Sequence, residues 1–194
     1  MTILHRNDLP GLFVSLGLTT GAEVGVLKGD YSSIILDNPG ILHLWSIDPW
    51  LDMDGNIMPA LRDKAQRRLS AYGSRSTVVV MKSVDAAEKF RDGSLGFVYI
   101  DALHRYEDVM ADLRAWFPKV QAGGILAGHD YDDMMLSGIV KDMLTDAHPS
   151  CGKAGVVKAV DEFFYAKGIP VNPTNEEFSN RKCKSWWVNK GDVE

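Results

Sequence analysis

The sequence has little of several features that mark other classes of protein. It contains only two cysteines among 194 residues, Cys151 and Cys183, which argues against a disulfide-stabilised scaffold. No uncharged run approaches the roughly 18 residues that a membrane-spanning helix needs. No basic segment followed by an apolar run opens the chain, and no repeat or low-complexity tract interrupts it. We therefore expect a soluble, cytoplasmic protein without disulfide bonds.

The chain also lacks an excess of positive charge. Its 21 Lys and Arg residues are outnumbered by 26 Asp and Glu residues, which gives a net charge of -5. Because nucleic-acid affinity depends on clustered Lys and Arg, we expect no nucleic-acid partner. We expect a small-molecule ligand and no membrane partner, with a homodimer as the candidate assembly.

The organisation along the chain is that of a single α/β domain. With 45% hydrophobic residues and no linker, residues 1–194 are predicted to form one domain, in which residues 1–20 are a helical lead-in. Short apolar runs alternate with amphipathic segments, which predicts βαβ units around a parallel sheet. The predicted strands are residues 22–26, 42–47, 77–81, 97–100, 125–127 and 185–189, and the clearest predicted helices are residues 58–72, 104–119 and 156–167.

One stretch, residues 22–32, is predicted to form a strand that ends in a carboxylate and then a glycine-rich turn into a helix. Glu23 stands at the end of the strand, and Gly25 and Gly29 follow it. The spacing differs from the G-x-G-x-x-G of a dinucleotide-binding turn. A carboxylate at the strand end repels a pyrophosphate and attracts a cation. The stretch resembles motif I of the class I methyltransferases, whose cofactor S-adenosylmethionine combines an adenosine with a cationic amino-acid end.

Acidic or polar side chains follow the other predicted parallel strands as well. Ligands bind at the carboxyl ends of such strands, so we expect these side chains to share one site. Asp48 is predicted to accept hydrogen bonds from both ribose hydroxyls, and Trp50 to line the pocket. Asp and Ser are also common helix caps, and the sequence leaves that alternative open. The side chains concerned are Glu23, Asp48, Ser83, Asp85, Asp101, His104, His129 and Asp130.

Two longer segments make the resemblance specific. Residues 99–107 read Tyr-Ile-Asp-Ala-Leu-His-Arg-Tyr-Glu, and residues 116–131 end in Gly-His-Asp-Tyr. They resemble the methyltransferase 24 group of class I enzymes, and residues 46–50 and 185–188 extend the similarity over nearly the whole chain. Leu103 departs from the pattern, because the group usually has an acid there. The resemblance implies a Rossmann-like α/β sandwich with a mostly parallel central sheet and a final antiparallel strand.

The same resemblance implies a binding site for S-adenosylmethionine at the strand ends. Ser83 and Val84 correspond to the segment that packs against and hydrogen-bonds the adenine, with a plain helix cap as the alternative for Ser83. The residues implied in cofactor binding are Glu23, Gly25, Gly29, Ser32, Asp48, Trp50, Ser83, Val84 and Asp101.

A metal site is implied by the similar layout of catechol and caffeoyl-coenzyme A O-methyltransferases. The similarity assigns magnesium or manganese to Asp101, His129 and Asp130, and makes His104 the base that removes the acceptor proton. An imidazole at His129 suits manganese, iron or zinc better than magnesium. Two alternatives stay open: His104 caps or pairs at a helix start, and His129 and Asp130 form a structural pair.

The function that we expect is methyl transfer from S-adenosylmethionine to a hydroxyl of a small molecule, catalysed by Asp101 and His104. The alternatives are a cephalosporin hydroxylase-like reaction and a non-catalytic cofactor-binding protein on the same fold. Residues 131–154 are predicted to form a lid or substrate-binding insertion, or else an ordinary connection with a short helix at residues 139–147. The other tryptophans expected in the core are Trp45, Trp186 and Trp187.

Overall fold

The computed structural model describes residues 3, 5–52, 54–131, 154–175 and 184–191. Within them one sheet has the strand order β3-β2-β1-β4-β5-β7-β6. The first five strands are parallel, whereas β7 runs antiparallel to both β5 and β6. The strands are β1 (Thr20–Val24), β2 (His43–Asp48), β3 (Ser76–Val80), β4 (Leu95–Ile100), β5 (Val120–Gly128), β6 (Asn172–Pro173) and β7 (Trp186–Asn189).

Helices cover both faces of the sheet. They are α1 (Leu9–Ser15), α2 (Asp30–Asp37), α3 (Pro59–Leu69), α4 (Ser83–Ala87), α5 (Tyr106–Trp116) and α6 (Ala154–Tyr165), with 3-10 turns at Arg6–Asp8, Ser70–Arg75 and Phe117–Lys119. None of the helices in these residues is both long and apolar enough to cross a membrane.

The two faces of the sheet carry separate hydrophobic cores because successive side chains of a strand point to opposite sides. In β4, which is buried along its whole length, Val98 and Ile100 pack on the side of α4, α5 and α6. Phe97 and Tyr99 pack on the side of α1, α2 and α3. Burial on both faces is what a continuous apolar run predicts for a central parallel strand.

The predicted fold class and the six predicted strands are confirmed. The structure adds β6, a two-residue edge strand containing Pro173, for which the sequence gives no signal. It also starts β5 at Val120, before the strand predicted at residues 125–127, and Gly123 and Gly124 lie in an irregular part of β5 where the register against β4 shifts. Most of the lid prediction, the helix at residues 139–147 and both cysteines lie outside the described residues.

A close approach of two chain segments explains the need for glycine at position 25. Gly25 has φ of 89°, and a Cβ built there would overlap the backbone carbonyl of Asp101. Its N–H donates to the Ile47 carbonyl at 2.9 Å. The turn after β1 is thus in contact with the chain that follows β4, and glycine permits the contact.

We expect Gly25→Ala to lower the free energy of unfolding more than Gly17→Ala. Both glycines have positive φ, but a Cβ at Gly17 has nothing within 4 Å. Backbone strain costs about 1–2 kcal/mol at either site, and the overlap with Asp101 adds to it at Gly25 alone. Urea denaturation of the two variants measures both free energies of unfolding. Equal losses of stability would show that the contact between Gly25 and Asp101 does not require glycine.

Candidate active site

Backbone strain is concentrated at the carboxyl edge of the sheet. In the described part of the chain, the residues other than glycine with positive φ are Leu27 (51°), Trp50 (49°) and Asp130 (55°). They follow β1, β2 and β5, respectively. Bulky residues seldom adopt this conformation, and it persists where surrounding contacts impose it, which is often at a functional site.

The carboxylate of Asp48 fastens the turn after β1 to the end of β2. Its Oδ2 accepts hydrogen bonds from the N–H groups of Val26 (2.9 Å) and Leu27 (3.0 Å), and its Oδ1 accepts from the N–H of Trp50 at 2.6 Å. Both oxygens therefore bind backbone donors in this structure. Asp48 therefore holds the turn in place. Its contact with the ribose stays a prediction, and in that contact the same carboxylate oxygens would accept hydrogen bonds from the ribose hydroxyls as well as from the backbone.

The prediction that Trp50 lines the pocket is wrong for this structure. Trp50 is fully buried, and it belongs to the core on the side of α1, α2 and α3. Its Nε1 donates to the carbonyl of Leu27 at 2.8 Å. The ring therefore supports the turn from the core side, where burial of a large apolar side chain contributes most to stability. Trp186 is buried as expected, whereas Trp45 and Trp187 are partly buried.

Glu23 is a buried carboxyl group at the end of β1. Its Oε2 accepts a hydrogen bond from the hydroxyl of Ser32, which lies in the first turn of α2 and is itself buried. Gly29, with φ of 73°, is the N-cap that directs α2 back over this strand end. Burial raises the pKa of Glu23 to about 8, although the hydrogen bond from Ser32 opposes the shift.

Arg6 lies at the same strand ends and is not among the predicted site residues. Its Nη1 is 3.5 Å from Oδ2 of Asp101. Its guanidinium lies 4.9 Å from the centre of the Tyr31 ring, and the Tyr31 hydroxyl donates to the Arg6 carbonyl at 2.8 Å. Nothing in the local pattern of residues 1–20 indicates this contact, because it joins the N-terminal turn to side chains that are distant in sequence.

Two aspartates and two histidines lie close together at this edge. The Nε2 of His104 is 2.9 Å from Oδ2 of Asp130 and 4.0 Å from Oδ1 of Asp101. The Nδ1 of His129 is 3.2 Å from Oδ1 of Asp130 and 3.9 Å from Oδ1 of Asp101. Burial favours a higher pKa for Asp130, but the hydrogen bonds from His104 and His129 outweigh it and hold that pKa well below its usual range.

Three of these side chains form a group that is able to hold a metal ion, and this group differs in one member from the predicted ligand set, which itself stays a prediction. One ligand atom each from Asp101, His104 and Asp130 lies within 4.8 Å of the other two, a set we call the Asp101–His104–Asp130 cluster. His104 thus takes the third place that was assigned to His129. A cavity of about 10 Å³, room for about one water molecule, is lined by Asp101, His104 and His129. Of the alternative that His104 caps or pairs, the cap is wrong, because the N-cap of α5 is Arg105, whereas the pairing is confirmed by the contact with Asp130.

The helix-cap alternative for Ser83 is wrong, whereas its predicted contact with the adenine stays a prediction. Lys82 is the N-cap of α4, and Ser83 is the first helical residue. Its hydroxyl donates to Oδ1 of Asp112 and accepts from Nε1 of Trp116 at 2.9 Å, which ties α4 to α5. Burial raises the pKa of Asp112 to about 6. Val84, the other residue assigned to the adenine, is 42% exposed at the start of α4.

The chemistry of these groups fits the amino-acid end of S-adenosylmethionine. That end carries a sulfonium and an ammonium, which require anionic partners, and a carboxylate, which requires a cationic one. The carboxyl groups of Glu23 and Asp101 and the guanidinium of Arg6 meet beside the turn at Gly25. A site with both signs of charge suits such a ligand better than it suits a simple anion or cation.

Comparison with known protein families identifies the domain. The sequence model of a family described as a methyltransferase domain matches residues 22–131. No curated protein sequence matches the chain significantly.

Solved structures share the fold at low sequence identity. A cofactor-bound protein from MTB has a TM-score of 0.68 at 16% identity, over 95% of this chain and 79% of that one. An O-methyltransferase family protein from Burkholderia thailandensis has a TM-score of 0.64 at 16% identity, over 96% and 56%. Spermidine synthase from Thermotoga maritima has a TM-score of 0.58 at 14% identity, over 97% and 61%.

We expect Glu23→Gln to change how the stability of the cofactor-free protein depends on pH. The pKa of Glu23 is raised from 4.5 to about 8 on folding, so between these values the folded state holds a proton that the unfolded state releases. The group therefore costs stability progressively as pH rises through that window. Glutamine removes the cost, and urea denaturation should show a flatter decline for Glu23→Gln than for the wild type. Glu88→Gln, at an exposed site, is the control, and parallel profiles for Glu23→Gln and the wild type would contradict the raised pKa.

Proposed function

Because the chain belongs to the methyltransferase domain family, we propose that it transfers the methyl group of S-adenosylmethionine to a hydroxyl oxygen of a small molecule. The choice of oxygen as the acceptor atom rests on the Asp101–His104–Asp130 cluster at the carboxyl edge of the sheet. A hydroxyl becomes a strong nucleophile only when its proton is removed, and this cluster supplies groups that can accept a proton. The O-methyltransferase from Burkholderia thailandensis on the same fold supports the choice.

The transfer is a direct displacement at the methyl carbon. The acceptor oxygen forms a bond to that carbon while the carbon–sulfur bond breaks, and the electron pair stays on sulfur as the thioether of S-adenosylhomocysteine. The hydroxyl proton passes to His104 of the cluster, or to solvent where a bound cation would lower the pKa of the hydroxyl. Glu23 and Ser32 hold the amino-acid end of the donor, and the turn at Gly25 and Gly29 leaves room for it. The remaining task of the protein is to place the acceptor oxygen in line with the carbon–sulfur bond.

We propose that the cluster holds a divalent cation. Two carboxylates and one imidazole suit manganese better than magnesium, because a neutral nitrogen donor favours the later metals. A bound cation of this kind lowers the pKa of a coordinated hydroxyl. Asp101, His104 and Asp130 are then the ligands, and His129 orients Asp130 through the 3.2 Å contact between its Nδ1 and Oδ1.

A second candidate mechanism uses the same residues without a metal. The Nε2 of His104 lies within hydrogen-bond distance of Asp130, at 2.9 Å, as in a histidine that a carboxylate orients for proton transfer. In that case His104 takes the proton from the acceptor, and Asp130 stabilises the imidazolium that forms. The two mechanisms differ in whether a chelator abolishes the reaction.

The experiment follows labelled methyl groups from S-adenosylmethionine to catechols, other phenols and sugars, with excess EDTA or with added Mn²⁺. The proposal expects transfer to oxygen that EDTA abolishes and Mn²⁺ restores. Full transfer in EDTA would favour the His104–Asp130 pair over the metal. Cofactor binding without transfer to any acceptor would instead support a non-catalytic protein.

We expect His104→Asn to lose most of the turnover, by about 10²–10⁴-fold, while its affinity for S-adenosylhomocysteine stays near that of the wild type. Both mechanisms place His104 at the acceptor rather than at the cofactor. His43→Asn is the matched control, because His43 is the first residue of β2 at the opposite edge of the sheet. Near-normal turnover of His104→Asn would remove the cluster from the chemistry.

A further inference from the structure

Arg6 is a charged residue near the strand ends that the proposed function has not used. It lies in the short turn before α1, and its guanidinium is beside Asp101. The side chain is about a quarter exposed. A cation held at a site made mainly of carboxylates calls for an explanation.

Contacts with α2 and β4 fix Arg6 in place independently of Asp101. The Tyr31 hydroxyl donates to the Arg6 carbonyl at 2.8 Å, and the Tyr31 ring lies under the guanidinium. Tyr31 in turn packs on Tyr99, with ring centres 4.3 Å apart, and Tyr99 is paired with Glu23 across β1 and β4. The Arg6 side chain is therefore positioned by the same elements that position Glu23.

The charge balance of the site indicates what Arg6 contacts. Glu23 and Asp101 are carboxyl groups that suit the cationic groups of S-adenosylmethionine but repel its carboxylate. Arg6 acts on both, since its charge favours the ionised forms of Glu23 and Asp101. A guanidinium presents its N–H donors in a planar fork that matches a carboxylate in two-point contact.

We propose that Arg6 binds the carboxylate of the amino-acid end of S-adenosylmethionine and thereby selects for the complete cofactor. This assignment rests on the proposed function. It makes Arg6 a specificity-determining residue that the N-terminal turn supplies to a site otherwise built at the strand ends. Glu23 and Arg6 then hold the ammonium and the carboxylate of the same end of the ligand.

The test compares two ligands that differ in this carboxylate alone. S-adenosylhomocysteine carries it, and its decarboxylated analogue S-adenosyl-3-thiopropylamine does not. Isothermal titration calorimetry measures both ligands against the wild type, Arg6→Gln and Arg6→Lys. Arg114→Gln, exposed on α5, is the control for the loss of one positive charge.

The expected result is a loss specific to one ligand. Arg6→Gln weakens the binding of S-adenosylhomocysteine by about 10- to 100-fold, the range for a lost hydrogen bond to a charged group. Its affinity for the decarboxylated analogue stays nearly unchanged. Arg6→Lys keeps the charge but loses the fork, so its loss for S-adenosylhomocysteine is smaller. Arg114→Gln binds both ligands as the wild type does. Retained binding of the analogue also shows that the variants are folded.

Other outcomes overturn the proposal in distinguishable ways. Equal losses for both ligands would mean that Arg6 only supports the fold. Tighter binding of both by Arg6→Gln would mean that the guanidinium occupies the place of the cofactor's cation and is displaced. Unchanged affinities would leave the carboxylate of an acidic acceptor as the partner of Arg6. If the wild type binds neither ligand, the proposed function fails together with this inference.

Discussion

The carboxylate of Asp48 joins two neighbouring parallel strands at the point where both end, and the geometry of the site follows from that junction. Its oxygens bind the N–H groups of Val26, Leu27 and Trp50, so the turn after β1 cannot move without the end of β2. The indole of Trp50 holds the same turn from below. Because Gly25 lies against the backbone of Asp101, this junction also sets the position of the chain after β4.

The site combines a rigid backbone with charges that are costly in the free protein. The pKa of the buried Glu23 is raised to about 8, and the pKa of Asp101 is raised by burial as well, with His129 opposing the shift. Carboxyl groups in such surroundings lower stability at neutral pH unless a cation neutralises them. A ligand with a cationic group, such as the proposed S-adenosylmethionine, would offset this cost. The arrangement therefore gives up some stability of the free protein in favour of ligand binding, as functional sites commonly do.

The fold could be predicted from the sequence because it depends on repeated local patterns. Apolar runs gave the strands, and the acids after them, such as Asp48 and Asp101, are at the edge where they were expected. The direction in which individual side chains point was harder to predict from the sequence. Trp50 points into the core, and Ser83 turns towards Asp112 on α5, because packing between distant elements decides both. His104 rather than His129 completes the Asp101–His104–Asp130 cluster because the residues after β4 and β5 come together only in the folded chain, and the contact of Arg6 with Asp101 likewise depends on tertiary structure.

The most direct test of the account is a crystal structure of the protein with S-adenosylhomocysteine and Mn²⁺. The account predicts the thioether sulfur between Gly25 and the Asp101–His104–Asp130 cluster, the ammonium beside Glu23, and anomalous scattering from manganese at the cluster. A cofactor bound away from the turn at Gly25, or with its sulfur facing away from the cluster, would contradict it.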